Sequence, residues 1–259
     1  MSIYQHYRKH EHPFVDQVLS WMEQVENTFV PYVTDFLDPR EQQIVTTVIG
    51  ANHDVIKFTF FGGSEEAERK RAVIAPFYEA VQESDAKVIL LNATFPAKFV
   101  SLSHSDVLGA FLSLGIERKK IGDINVLQDE LQLFIAEELE DYVRLNLTQI
   151  KKASIELKKQ SAEKSVSANE EWAHRSHTVS SLRLDVLVKE IYKMSRKDAH
   201  TLIQANKVKI NHTYVDNPAT QLLEGDLISV RKYGRSKLVE ESGKTRKDKH
   251  KITVAILKT

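Results

Sequence analysis

Ser195-Arg196-Lys197-Asp198 sets a cap, two cations and an acid at the head of a helical pattern in which Ala199, Leu202 and Ile203 share a face. Cations in a first turn face the positive end of the helix dipole at a cost of about 0.3–1 kcal/mol each, and an incoming phosphate turns that cost into attraction. The chemistry open to Arg196 and Lys197 is therefore anion binding, the alternative being two exposed side chains that bend away into water. Farther on, Arg231, Lys232, Arg235 and Lys237, then Lys244, Arg246, Lys247, Lys249 and Lys251, form a basic run ahead of a closing strand from Ile252 to Leu257. The run reads equally as a mobile loop that clamps a nucleic-acid backbone and as a plain solvated hairpin loop.

Other constellations carry less chemistry. A strand, Gly62-Gly63 and a helix would suit a phosphate cradle, but no G-x-G-x-x-G or Walker lysine-serine pattern is present, and Glu65 and Glu66 in the first turn repel anions. The glycines read as a turn. Arg69, Lys70 and Arg71, later in that helix, are a candidate further nucleic-acid surface or an ordinary solvated face. His6, His10 and His12 have His-x3-His-x-His spacing without an acid constellation, which reads as surface histidines rather than a metal site. The lack of cysteine removes disulfides, thiol nucleophiles and thiolate zinc sites. No catalytic residue, metal or cofactor is expected.

The 259 residues, 42% apolar and 28% charged, suffice for two or three soluble domains. Apolar runs such as Val88 to Leu91 are far too short to span a bilayer, and Met1 to His12 lacks the basic-then-apolar layout of a secretion signal. A cytoplasmic protein is expected. Its formal net charge of zero conceals a division: residues 1–172 hold 18 Lys+Arg against 27 Asp+Glu, a balance of −9, and residues 173–259 hold 18 against 9, a balance of +9. A compact cationic segment attracts polyanions, whether nucleic acid or an acidic membrane surface, at a strength that falls with salt; a solvated basic face balancing the acidic body is the alternative.

These residues need elements to position them. The spacing of Val18, Met22, Val25 and Phe29 predicts a helix from Pro13 to Phe29, and Asp38-Pro39-Arg40-Glu41 heads a second through Ile44, Val45, Val48 and Ile49 to Gly50. A strand over Val55 to Phe61, the Gly62-Gly63 turn and a helix from Ser64 to about Tyr78 complete an N-terminal α/β domain, residues 1–83. Next come a strand (Val88 to Ala93), a helix capped by Ser103 and Asp106 and ended by Gly115, and strands Ile121 to Leu127 and Leu131 to Ala136. A helix through Leu139, Tyr142 and Val143 follows, then a strand alternating Ala153, Ile155 and Leu157. The β-α-β-β-α-β order predicts a ferredoxin-like domain over 84–159, a frame that hosts many functions. Phe134, its one aromatic suited to stacking on a base, reads as core. Residues 160–178, rich in Ser, Ala, Glu and Lys, read as a linker. In the last domain, 179–259, Leu184, Leu187, Val188 and Ile191 predict a helix ahead of the one at Ser195. Lys207 to Ile210 and Tyr214-Val215 flank Asn211-His212-Thr213 as a hairpin, and Gly225-Asp226 turns into a strand from Leu227 to Val230. The fold class is α+β.

Arg183-Leu184-Asp185, Ser195-Arg196, Ala199, Leu202-Ile203, Val208-Lys209-Ile210-Asn211, Pro218 and Gly225-Asp226, in this order and spacing, closely resemble the S4 RNA-binding domain. His212 follows Asn211 where that family commonly has glycine, so a looser turn is expected. The whole chain is similar to the YlmH-type S4 proteins of Gram-positive bacteria, whose N-terminal region carries a strand, a double glycine and a basic helix like Phe60-Phe61-Gly62-Gly63 and Glu68-Arg69-Lys70-Arg71-Ala72.

The resemblance implies an RNA-binding, ribosome-associated protein. Similarity to the smaller S4 factors of ribosome quality control extends this to large subunits holding stalled peptidyl-tRNA. It implies contacts to structured rRNA or tRNA at Arg183, Ser195, Arg196 and Lys197, bordered by Lys207, Lys209, Arg231 and Lys232, with no membrane partner and the chain acting as a monomer. Folded RNA is recognised mainly through phosphates, 2′-hydroxyls and shape, which suits arginine forks and lysine point charges. Arg-Leu-Asp is also the catalytic tripeptide of pseudouridine synthases, some of which carry an S4 domain. Here Asp185 lies on the S4 helix itself, without the expected Thr-Ser-Gly downstream or a large catalytic domain. A non-enzymatic RNA-binding factor is the expectation, with an RNA-modifying enzyme and a division-related scaffold as alternatives.

Overall fold

Two helix starts in the first half of the chain are closed by side chains that the sequence supplies. Asp38 Oδ1 accepts the Glu41 amide at 2.9 Å and Glu41 Oε2 accepts the Asp38 amide at 2.7 Å, and Ser103 and Asp106 form the same reciprocal box. The structure, a computed structural model, describes residues 3–50, 54–166 and 171–257. It divides into two compact units, Met1–Ala168 and Asn169–Thr259. Among the described residues no helix is long and apolar enough to cross a membrane.

The first unit opens with α1 (His12–Thr28), β1 (Tyr32–Leu37), α2 (Pro39–Gly50), β2 (Ile56–Phe61) and β3 (Lys70–Pro76). The strands pair antiparallel in the order β1-β3-β2. Val15, Val18, Met22 and Val25 of α1 and Ile44, Val45 and Val48 of α2 form one core with Ile56, Ala72 and Ile74. Two strands correct the expectation. β1 lies in a stretch where no element is expected, and the helix expected from Ser64 to Tyr78 is a loop followed by β3. β3 is the central strand, with Arg71 to Pro76 all buried. Covered on both faces, its apolar run shows no alternation, so periodicity cannot separate it from a buried helical turn; β-branched Val73-Ile74 followed by Pro76 is the residue-type signal for strand. The double glycine is a site of close approach rather than a tight hairpin turn. Gly63 has φ +85°, and a Cβ there would lie 2.5 Å from the buried Phe134 ring.

β4 (Val88–Thr94), α3 (His104–Ser113), β5 (Ile121–Val126), β6 (Glu130–Ala136) and α4 (Glu140–Asn146) follow. The alternating segment around Ala153 to Leu157 is not the long strand expected. β7 (Gln149–Ile150) and β8 (Ala153–Ser154) make a small hairpin, and β9 (Lys158–Gln160) supplies the fourth strand of a sheet ordered β5-β6-β4-β9. Leu91, Phe111, Ile121, Leu133, Ile135 and Val143 pack in its core. Polar contacts tie this sheet to the first. Arg71 Nε donates to the Thr34 carbonyl at 2.6 Å and Nη1 to the Lys87 carbonyl at 3.0 Å. Asp123 accepts the amides of Glu68 and Arg69, and Lys120 Nζ bridges Asp35 at 2.7 Å and Glu138 at 3.0 Å.

In the second unit, β10 (Trp172–Val179) precedes α5 (Leu184–Tyr192) and α6 (Arg196–Gln204), followed by β11 (Val208–Ile210), β12 (Thr213–Tyr214), β13 (Leu227–Val230), β14 (Gly234–Lys244) and β15 (His250–Leu257). The sheet order is β10-β15-β14-β13-β11-β12. Leu184, Leu187, Val188, Ala199 and Ile203 cover it through Val208, Ile228, Leu238 and Val254. The expected linker over 160–178 is therefore partly strand: β10 pairs with β15 along its whole length, while residues 167–170 lie outside those described. Likewise the basic run is not a loop, because most of it belongs to β14, β15 and the short turn between them.

The hairpin at His212 is tight, against expectation. Ile210 pairs with Thr213 across a two-residue turn in which Asn211 (φ 47°) and His212 (φ 66°) are both left-handed. Asn211 secures it, donating to Asp226 Oδ1 at 2.7 Å and accepting the Leu227 amide at 2.9 Å. Glycine would adopt the His212 conformation without steric penalty, so His212→Gly is expected to raise stability by about 1 kcal/mol. Thermal unfolding checks this; an unchanged or lower midpoint would place no strain at His212.

Candidate nucleic-acid interface

The site is built from α5 outward. The first amides of α5 are satisfied by a loop rather than by a side-chain cap: Leu184 N donates to the Thr220 carbonyl at 2.9 Å and Asp185 N to the Pro218 carbonyl at 3.1 Å. This fixes Asp185 in the first turn, where the helix dipole favours an anion. Its side chain is 0% exposed. Oδ1 accepts Arg183 Nε at 2.9 Å, and Oδ2 accepts Arg183 Nη2 at 3.2 Å and Arg196 Nη2 at 2.9 Å. His200 Nε2 hydrogen-bonds the same Oδ2 at 2.9 Å. Burial pushes the Asp185 carboxyl up, but the bonds from Arg183, His200 and Arg196 outweigh it and hold the group well below the usual carboxylate range.

The cations lie above the acid and keep open faces: Arg183 is 34% exposed, His200 38% and Arg196 60%. Each guanidinium commits only part of its donor fork to Asp185, so N–H groups remain for a phosphate. Arg196 is not strained against the dipole of α6, because it reaches back to the carboxylate on α5. Ser195 caps α6, its Oγ accepting the Asp198 amide at 3.0 Å, and Lys197 is exposed beside it.

The other predicted residues gather elsewhere. Lys207 and Arg231 meet at the far end of α6, where the Lys207 carbonyl accepts the Arg231 amide at 2.9 Å. Lys232 follows in the turn with φ 74°. Lys209 Nζ sits 4.5 Å from the Tyr214 ring centroid, a cation–π contact. A nine-residue helix is about 13 Å long, so the cations form two groups at its ends rather than one patch.

Sequence reasoning missed Asp185 as the centre of the site and missed His200 altogether. The usable signal was Arg196 and His200 at i and i+4, on one face of α6. Arg69, Lys70 and Arg71 do not make a second exposed basic face. They lie at the head of a strand, not on a helix: Arg71 is buried, Arg69 Nη2 donates to the Phe36 carbonyl at 2.7 Å, and Lys70 Nζ reaches the Glu65 carbonyl at 3.2 Å.

Two helices presenting arginines over a buried acid, packed on an antiparallel sheet, place the C-terminal unit in the S4 class. Residues 182–228 match the family described as "S4 domain", residues 10–79 "YlmH, N-terminal" and residues 81–164 "Putative RNA-binding domain in YlmH". The chain belongs to the YlmH family. It is 39% identical over 252 residues, 97% of each chain, to "Ribosome-associated protein quality control protein P2" of Bacillus subtilis (strain 168). The solved structure of "Cell division protein ylmH from Streptococcus pneumoniae" is 26% identical, with a TM-score of 0.55 covering 64% of this chain and 99% of that one.

Because the folded-state pKa of Asp185 is lowered, its contribution to stability is fully present above the unfolded value near 4 and is lost as pH falls toward the folded value. Asp185→Asn is therefore expected to destabilise the protein at pH 7 by about 1–3 kcal/mol, with the gap to wild type closing in strong acid. Urea unfolding across pH checks this; a gap that stays constant from pH 7 to the lowest accessible pH would contradict it.

Proposed function

We propose that this protein is a non-enzymatic RNA-binding factor of the ribosome, gripping structured rRNA or tRNA through the α5–α6 face. The observation that carries the reading is the pairing of Arg183 and Arg196 over one buried carboxylate, which presents two rigid guanidinium forks to a phosphate contour. Lys197 extends that face, and Lys207, Lys209, Arg231 and Lys232 offer a second group of cations to the same RNA at the far end of α6. The Bacillus subtilis relative's name refers to ribosome-associated quality control, which supports a ribosomal setting; within it, the target we propose is the large subunit holding stalled peptidyl-tRNA, met in the cytoplasm by a monomer. Asp185, wholly buried and taken up by three partners, offers no free face to a base, which speaks against a pseudouridine-synthase role. A division-related scaffold is the second reading, favoured by the name of the Streptococcus pneumoniae protein, which refers to cell division.

Four or five phosphates neutralised on this face alone should contribute about −3 to −4 to the slope of log affinity against log salt. Arg196→Ala should weaken binding and flatten that slope by nearly one unit. In sucrose gradients the wild type should travel with large subunits and the variant should shift toward the top. A wild-type protein that stays at the top would favour the scaffold; unchanged affinity and slope for Arg196→Ala would remove the helix face from the account.

A further inference from the structure

The matched S4 segment ends at residue 228, whereas the densest cations of the chain lie beyond it, at the tip of the β14–β15 hairpin. This tip is an ordered turn. Thr245 N donates to the Lys249 carbonyl at 2.8 Å, Asp248 N to the Thr245 carbonyl at 3.0 Å, and Lys249 N to Thr245 Oγ1 at 3.1 Å. Its one acid, Asp248, is engaged by Lys244 at 2.9 Å. Arg246, Lys247, Lys249 and Lys251 are all exposed and have no ion-pair partner among the described residues. Such a cluster repels itself until an anion arrives.

Strand register places the tip at the same end of the unit as the arginines. Val179 pairs with His250 and Thr178 with Lys251. The chain then needs only four steps from Val179 to Arg183, at most about 14 Å even fully extended. A second path of contacts runs the same way. Arg183 bridges to Gln221, Leu222 N donates to the Leu182 carbonyl at 3.0 Å, and Gly225 N to the Leu238 carbonyl at 2.7 Å. Glu224 Oε1 then accepts the Glu241 amide of β14 at 2.7 Å. The acids at the base of the hairpin are partly occupied: Glu241 holds His250 at 2.5 Å and Glu224 holds that amide, leaving Glu240 exposed.

We propose that the β14–β15 tip is a second phosphate-binding element, gripping the same RNA as the α5–α6 face from the Arg183 end through Arg246, Lys247, Lys249 and Lys251. The proposal rests on the RNA-binding reading above. A phosphodiester backbone is the ligand these residues suit. Lys244 to Lys251 reads Lys-Thr-Arg-Lys-Asp-Lys-His-Lys, without the aliphatic or aromatic residue that would bury itself in a lipid interface, and four separated point charges match a repeating anion rather than one buried carboxylate. The hairpin is braced along β10 and by the 221–226 segment, so its charges are held out at low conformational cost.

The test compares the full-length wild type with a variant carrying Arg246→Ala, Lys247→Ala, Lys249→Ala and Lys251→Ala together. Both are titrated against a stem-loop RNA at several salt concentrations, with Arg196→Ala in parallel. The quadruple variant should bind more weakly and flatten the log–log salt slope by about three units, where Arg196→Ala removes about one. If the quadruple variant keeps the wild-type affinity and slope while Arg196→Ala loses them, the hairpin proposal is wrong and the helix face stands. If Arg196→Ala is silent while the quadruple variant weakens binding, the helix face falls and the hairpin stands. Vesicles containing phosphatidylglycerol form the other arm: wild-type binding that the quadruple variant abolishes, with RNA binding untouched, would overturn the proposal in favour of a membrane. Should the quadruple variant unfold, Lys247→Ala and Lys249→Ala singly should each flatten the slope by just under one unit, and no change in either would be equally fatal.

Discussion

Two guanidiniums held side by side repel: at about 5 Å and an effective dielectric near 20, two unit charges oppose each other by about 3 kcal/mol. Asp185 reverses the sign of that contact. Its carboxylate, buried beneath Arg183, Arg196 and His200, lets cations from two helices share one place while their outer N–H groups face solvent. Removing the acid leaves both arginines in the chain but takes away the reason for them to be there together. The arrangement is also economical in charge, since two arginines over one aspartate leave a net positive face for an anion.

Much of the C-terminal unit serves to seat that carboxylate. The Pro218–Thr220 carbonyls fix the first turn of α5, the Ser195 cap sets where α6 begins, and the apolar stripe through Leu187, Val188, Ala199 and Ile203 locks the helices onto the sheet. The first unit uses polar groups differently. Arg71, Asp123 and Lys120 join two sheets by bonds to backbone and carboxylates, so Arg71 and Lys120 are taken up within that unit while Arg246, Lys247, Lys249 and Lys251 of the second unit stand exposed. The division between an acidic and a basic part of the chain thus has a structural counterpart.

What was legible in the sequence was local. Capping boxes at Asp38 and Ser103, the cap at Ser195, the amphipathic stripe of α5 and the S4 pattern are set by side chains within a few residues of the backbone they satisfy. Long-range burial was not legible. β3 is covered on both faces and so lacks the alternation that marks a strand. β10 is an edge strand whose polar residues, His174 to Ser176, are exposed and resemble a linker. The same limit hid the role of Arg71, whose partners Thr34 and Lys87 lie far off in sequence. It also hid Asp185, seen only beside Arg183 because Arg196 and His200 come from another helix. The tight turn at Asn211-His212 depends on an asparagine side chain bonded to Asp226 and Leu227, which a dipeptide rule based on glycine does not anticipate.

The most direct test of the central claim is a double-mutant cycle on RNA affinity with Asp185→Asn, Arg196→Ala and the pair together. If the buried carboxylate positions Arg196, the loss caused by Arg196→Ala should shrink once Asp185 has been replaced, giving a coupling of about 1 kcal/mol or more. Losses that simply add, within about 0.5 kcal/mol, would mean that Arg196 meets RNA without help from Asp185 and would contradict the account.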